Sequence, residues 1–125
     1  MVTGHEFAGE VVEISKDHDK YQVGDRLAGA PIVYCGTCLY CQNNMITMCE
    51  NLGEIGFQFP GGFQEYMPIA KDAFDRGLIV PMPDGLSFKH AAVSEPPSSC
   101  IYAQERADIT VGDKVAIFGA GPIGC

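Results

Sequence analysis

The 125-residue chain is 46% apolar and 19% charged, a balance ordinary for one globular domain with a real core. Acidic residues outnumber basic ones 16 to 8, giving a net charge of -8 and a pI near 4.6, so the chain would repel a phosphate backbone and no nucleic-acid partner is expected. No apolar run approaches the roughly 20 residues that span a bilayer, and no targeting signal follows Met1, so the expectation is a cytoplasmic protein with reduced cysteines and no membrane partner.

Residues 4–14, GHEFAGEVVEI, carry Val11, Val12 and Ile14 in a strand-like pattern, with Gly4 and Gly9 where the backbone bends or a side chain must be absent. They read as one bent strand. His5 and Glu6 open it, and because neighbouring strand residues point to opposite faces, both could address one metal only where the chain is distorted. By itself such a dipeptide is more often two solvated side chains than a metal pair. His18, in KDHDK, reads as a solvated turn residue. Residues 21–30, YQVGDRLAGA, predict a Val-Gly-Asp turn, capped by Asp25, leading into a short strand.

The segment 34–51, YCGTCLYCQNNMITMCEN, follows. Its cysteines, Cys35, Cys38, Cys41 and Cys49, are separated by two, two and seven residues, a spacing that lets a looping backbone present four thiolates to one tetrahedral ion. Soft thiolates favour zinc, and four protein ligands leave no position for water or substrate, so such a site holds structure and does no chemistry. Two disulfides and an iron–sulfur cluster are the competing readings. Sulfurs three residues apart pair poorly, and the usual fourth cluster cysteine stands closer and precedes a proline.

Beyond the lobe, FQFPGGFQEYMPI predicts a glycine turn at Gly61 and Gly62 feeding a strand through Phe63, Tyr66 and Ile69, with the aromatic residues in the core. Pro81 and Pro83 force an extended edge segment over 78–84, since proline cannot donate to a ladder. Ser87 then caps a helix through Phe88, His90, Ala91 and Ala92 toward Glu95, where Pro96 and Pro97 break it, and a second helix covers 99–107. His90 reads as a surface residue and Cys100 as a small core residue. Finally, VGDKVAIFGAGPIGC runs from a turn into a buried strand over 115–118 and then Gly119, Gly121 and Gly124, spaced G-x-G-x-x-G. Glycines so placed after a strand let backbone amides approach a pyrophosphate, the opening of a dinucleotide fold.

Taken together, these motifs resemble the zinc-dependent medium-chain dehydrogenase/reductase family, in particular its polyol and threonine dehydrogenase branch. GHEFAGEVVEI is similar to the family's Gly-His-Glu metal strand, the four-cysteine lobe to its structural zinc, SEPPSSCIYA to its Glu-Pro helix, and FGAGPIG to its cofactor loop. The resemblance implies a mainly β fold: a GroES-like, partly open β-barrel with a four-cysteine zinc lobe over 1–107, then the first strand and glycine loop of a Rossmann domain over 108–125.

It further implies hydride transfer between an alcohol and NAD or NADP, with a catalytic zinc at which His5, Glu6 and Glu95 act, a cofactor loop at Gly119, Gly121 and Gly124, and a homo-oligomer when full-length. The family's upstream cysteine and proton-relaying serine or threonine would precede Met1, and most of the cofactor domain would follow Cys125, so the chain reads as an inactive piece of a longer enzyme. Glu95 stands where the branch acting on simple alcohols has cysteine, which leans the substrate class toward polyols or related secondary alcohols. A different class of function, a non-catalytic zinc-stapled folding or interaction module, needs the lobe but has no use for Gly-His-Glu and the glycine loop together.

Overall fold

The computed structural model describes residues 1–125 and contains two small antiparallel sheets and four helices around a mainly apolar interior. The first sheet orders β1 (Ala8–Glu10), β2 (Arg26–Gly29) and β5 (Ile79–Pro81) with β2 in the middle, pairing Gly9 with Leu27 and Leu27 with Pro81. Alternation along β2 explains why both of its faces are covered. Leu27 enters the main core with Tyr21, Val33, Ile55, Ala73 and Ile79, while its neighbour Ala28 turns to a second cluster with Met82 and Ala91. Ile79 is completely buried, and Tyr21 reaches the same strand by donating its hydroxyl to the Ile79 carbonyl at 3.0 Å.

β3 (Ile32–Val33) pairs with β4 (Gly53–Glu54) on either side of the cysteine lobe, which contains α1 (Leu39–Gln42) and a 3-10 turn over Ile46–Met48. α2 (Lys71–Asp75) precedes β5, and α3 (Phe88–Ala92) follows it, N-capped by Ser87, whose hydroxyl accepts from the His90 amide at 3.3 Å. His90 itself is exposed, and its Nδ1 lies 3.1 Å from the same hydroxyl. The expected Asp25 turn is present: Gln22 N–H donates to the Asp25 carboxylate at 2.8 Å, with Gly24 at a φ of +94°. Pro81 ends β5, an edge strand of this sheet, as expected, whereas Pro83 lies beyond it.

Several local expectations differ from the structure. The strand read over 4–14 is regular only at β1, extended one residue by the Val11 N–H to Asp25 carbonyl bond of 2.9 Å. Residues 63–69 form no strand, and Phe63 and Tyr66 are 79% and 64% exposed rather than core, because the preceding glycines spend their amides on residues 2–4 instead of on a ladder. Pro96 and Pro97 do not break a helix arriving from Phe88. They begin one: α4 runs Glu95–Arg106 with prolines in its first turn, where a missing N–H costs nothing. Cys100 on α4 is half-exposed and directs its thiol toward the Ile123 carbonyl at 3.7 Å, so it is not a core residue. His18 is not solvated; its ring packs edge-on against Phe74 at 4.7 Å and beside Tyr21 at 5.8 Å, with both ring nitrogens buried and unpartnered. Residues 115–118 form no strand and are exposed rather than buried, with Phe118 98% accessible, since no neighbouring strand accepts their ladder bonds. No helix is long and apolar enough to cross a membrane.

Candidate metal centres and glycine loop

The four predicted cysteines converge. Their sulfurs lie within 4.8 Å of one another, with Cys35 to Cys41 at 3.9 Å and Cys38 to Cys41 at 3.5 Å, all as free thiols. A tetrahedral zinc with bonds of about 2.3 Å requires sulfurs about 3.8 Å apart, so the set has the dimensions the ion demands. Backbone amides complete the cage: Thr37 N–H and Cys38 N–H donate to Cys35 Sγ at 3.5 and 3.4 Å, and Cys35 N–H and Asn51 N–H to Cys49 Sγ at 3.3 and 3.4 Å. Gly36, at a φ of +74°, makes the turn between the first two ligands.

These bonds divide the thiols electrically. The Thr37 amide, followed by that of Cys38 and the Thr37 hydroxyl, pulls Cys35 down to about 5, whereas burial, followed by the Cys38 thiol, pushes Cys41 up to about 12. Cys38 is also lowered, chiefly by the Cys41 amide and then by that of Glu50. The role of Thr37 was not foreseen, although a residue directly after the turn glycine of Cys-Gly-Thr-Cys is the one whose amide must face back toward the first sulfur.

A second donor set joins residues ninety positions apart: His5, Glu6 and Glu95 bring one ligand atom each within 4.8 Å. His5 Nε2 stands 4.0 Å from Glu95 Oε2, with the side chains 38% and 23% exposed, and Glu6 is on the open side. Bonds of about 2.1 Å would place tetrahedral donors about 3.4 Å apart, so a zinc fits after a small inward movement and leaves an open position. The distortion needed for adjacent His and Glu to share one site is supplied by Gly4, at a φ of +98°.

Gly4 is also clasped from outside. Gly61 N–H donates to the Val2 carbonyl at 2.9 Å, Gly62 N–H to Gly4 at 2.8 Å and Phe63 N–H to Thr3 at 3.0 Å, and a Cβ on Gly61 would overlap the Gly4 oxygen. Glu95 comes from the first turn of α4, where the helix dipole favours an acid, and its Oε1 accepts a long 3.5 Å bond from the Ser99 hydroxyl. Phe57, missed in the sequence, sits with its ring 6.2 Å from the His5 imidazole and 56% exposed, an apolar wall beside the donors.

The glycine loop is an irregular turn. Gly119 adopts a φ of +114°, Gly121 has open space where its side chain would be, and a Cβ on Gly124 would overlap the Gly119 carbonyl. Gly119 thus makes a tight turn and Gly124 closes back on it within the same loop. α4 links this loop to the second donor set: Glu95 begins the helix and Cys100, about 8 Å further along at 1.5 Å per residue, contacts Ile123.

Residues 1–84 match the alcohol dehydrogenase GroES-like domain. L-threonine 3-dehydrogenase of Rhizobium etli is 36% identical over 124 residues, covering 99% of this chain and 34% of that protein. A Sinorhizobium meliloti protein assigned as a zinc-binding dehydrogenase and solved bound to NADP superposes with a TM-score of 0.85 at 36% identity, over 98% of this chain and 34% of that one. 2R,3R-butanediol dehydrogenase of Bacillus subtilis superposes at 0.78 with 35% identity, over 98% and 33%. The chain thus spans about a third of the length of these relatives. With its cysteine lobe, open donor set and small antiparallel sheets, the chain belongs to the alcohol dehydrogenase GroES-like domain family.

Proposed function

We propose that this chain is the metal-bearing part of a zinc-dependent, NAD(P)-linked oxidoreductase that oxidises polyols or related secondary alcohols. The observation that carries the reading is the contrast between its two donor sets: Cys35, Cys38, Cys41 and Cys49 close a tetrahedron with four sulfurs, whereas His5, Glu6 and Glu95 leave a position free. Residues 1–107 form the catalytic domain and residues 108–125 open the nucleotide-binding one.

When bound, zinc polarises an alcohol oxygen and lowers its pKa, and a nicotinamide accepts the hydride. The chain's own residues prepare that chemistry. His5 offers an imidazole nitrogen, held by the Gly4 clasp; Glu95 offers one carboxylate oxygen while Ser99 holds the other. Glu6 adjusts the local charge from the open side, Phe57 excludes water on one flank, and Gly119, Gly121 and Gly124 present backbone to the cofactor's pyrophosphate.

A purely structural zinc-stapled module would explain the sulfurs and leave the convergence of His5 with Glu95 without a purpose. The test is NAD(P)H formation from polyols and secondary alcohols by the protein that carries this chain together with its nucleotide-binding domain. His5→Ala is expected to abolish turnover while one zinc stays on the cysteines; turnover retained by His5→Ala contradicts the assignment.

A further inference from the structure

Segment 34–51 contains four cysteines and one acid, Glu50, but no lysine or arginine. Four thiolates around a divalent ion leave two negative charges, in a chain already at -8, and the lobe supplies amide dipoles but no cation against them. The cation comes from elsewhere. Arg76, at the end of α2, crosses to the turn between Cys35 and Cys38: a Cβ on Gly36 would collide with its Nη1 and lie 3.1 Å from its Cζ. Its guanidinium stands 5.4 Å from the Tyr34 ring, beside the first ligand, and is only loosely engaged by Asp72 at 3.8 Å. Arg76 Nε is buried without a hydrogen-bond partner. The guanidinium is held against the turn between the first two thiols, with Asp72 at the limit of an ion pair and Asp75 also within its field, so its charge is shared between those carboxylates and the lobe.

We infer that Arg76 is a positioning residue of the four-cysteine site, its charge offsetting that of the zinc–thiolate centre and its guanidinium lying over the face that Gly36 leaves open. The inference rests on the reading of the cysteines as a zinc site. It explains a pairing that neither segment shows alone: Gly36 serves both its positive φ and the space the guanidinium fills.

The experiment is a zinc titration of the reduced chain against a chromogenic chelator, for the wild type, Arg76→Gln and Arg76→Lys, at low and high salt. Loss of a group supporting metal ligands weakens binding roughly tenfold or more, so Arg76→Gln should lose about that factor at low salt. Arg76→Lys should recover most of it, and the gap between wild type and Arg76→Gln should narrow as salt screens the charge. Equal affinity of wild type and Arg76→Gln overturns the inference alone, as does an equal, salt-independent loss in both variants, which would mark a packing role. If Arg76→Gln does not fold even with zinc, the wild type decides: an affinity indifferent to salt overturns the inference, and one that falls with salt while Arg76→Lys keeps pace upholds it. Failure of the wild type to bind zinc overturns the zinc reading itself.

Discussion

At the scale of single residues, the donor His5 depends on the glycines around it: Gly4 turns at a φ of +98°, and Gly61 and Gly62 clasp its segment. Gly61 was legible in the sequence only as a turn residue, because nothing in a one-dimensional pattern says that its missing side chain makes room for the carbonyl of Gly4, 57 residues earlier in the chain. Gly61→Ala would push backbone against backbone, and overpacking of this kind costs about 1–3 kcal/mol; urea unfolding of the zinc-loaded chain checks it, and an unchanged midpoint would contradict the clasp. Tyr21→Phe leaves the Ile79 carbonyl without its 3.0 Å donor and should cost about 1–2 kcal/mol in the same assay. His18 eluded the sequence for a related reason: charged neighbours in KDHDK suggested solvent, and only the fold brings Phe74 over its ring.

At the scale of elements, the cysteine lobe was the most legible part of the chain, since four soft ligands at short spacing have few other uses. Its electrostatics were not, because they depend on which amide faces which sulfur. Cys35, at about 5, is already a thiolate at neutral pH, whereas Cys41, at about 12, must surrender its proton when a metal binds. The bound state therefore holds fewer protons than the free one, and zinc affinity must rise with pH through the neutral range and fall steeply as Cys35 protonates on approach to pH 5. Calorimetry in buffers of different ionisation enthalpy should count fewer protons released at pH 7 than the four that ordinary thiols would give; a count of four would contradict the division of the thiols. Among the helices, the sequence reading failed at Pro96 and Pro97 because a proline pair ends one helix and begins another with equal ease, and Glu95 at the start of α4 tips the choice.

For the whole molecule, the family and the open antiparallel architecture followed from four ordered motifs, while the extent of regular strand did not. Residues 2–4 are held instead by bonds from the glycine turn at 61–63, which carries no period to detect, and residues 12–14, 64–69 and 115–118 join no ladder. Core packing rests on few residues, so Ile79→Ala, at a completely buried position, should cost about 2–4 kcal/mol in urea unfolding. Residues 115–118 are exposed and join no sheet, so no ladder fixes the glycine loop against a pyrophosphate. NAD and NADP are therefore expected to show no binding to these 125 residues by calorimetry, and a micromolar affinity would contradict this. The most direct measurement is zinc-edge X-ray absorption on the chain loaded with one equivalent of zinc. Four sulfur neighbours at about 2.3 Å are expected, from Cys35, Cys38, Cys41 and Cys49, with His5 and Glu95 left to a weaker second ion; a first shell of nitrogen and oxygen, or an unchanged spectrum in Cys38→Ser, would contradict the division into a closed thiolate site and an open one.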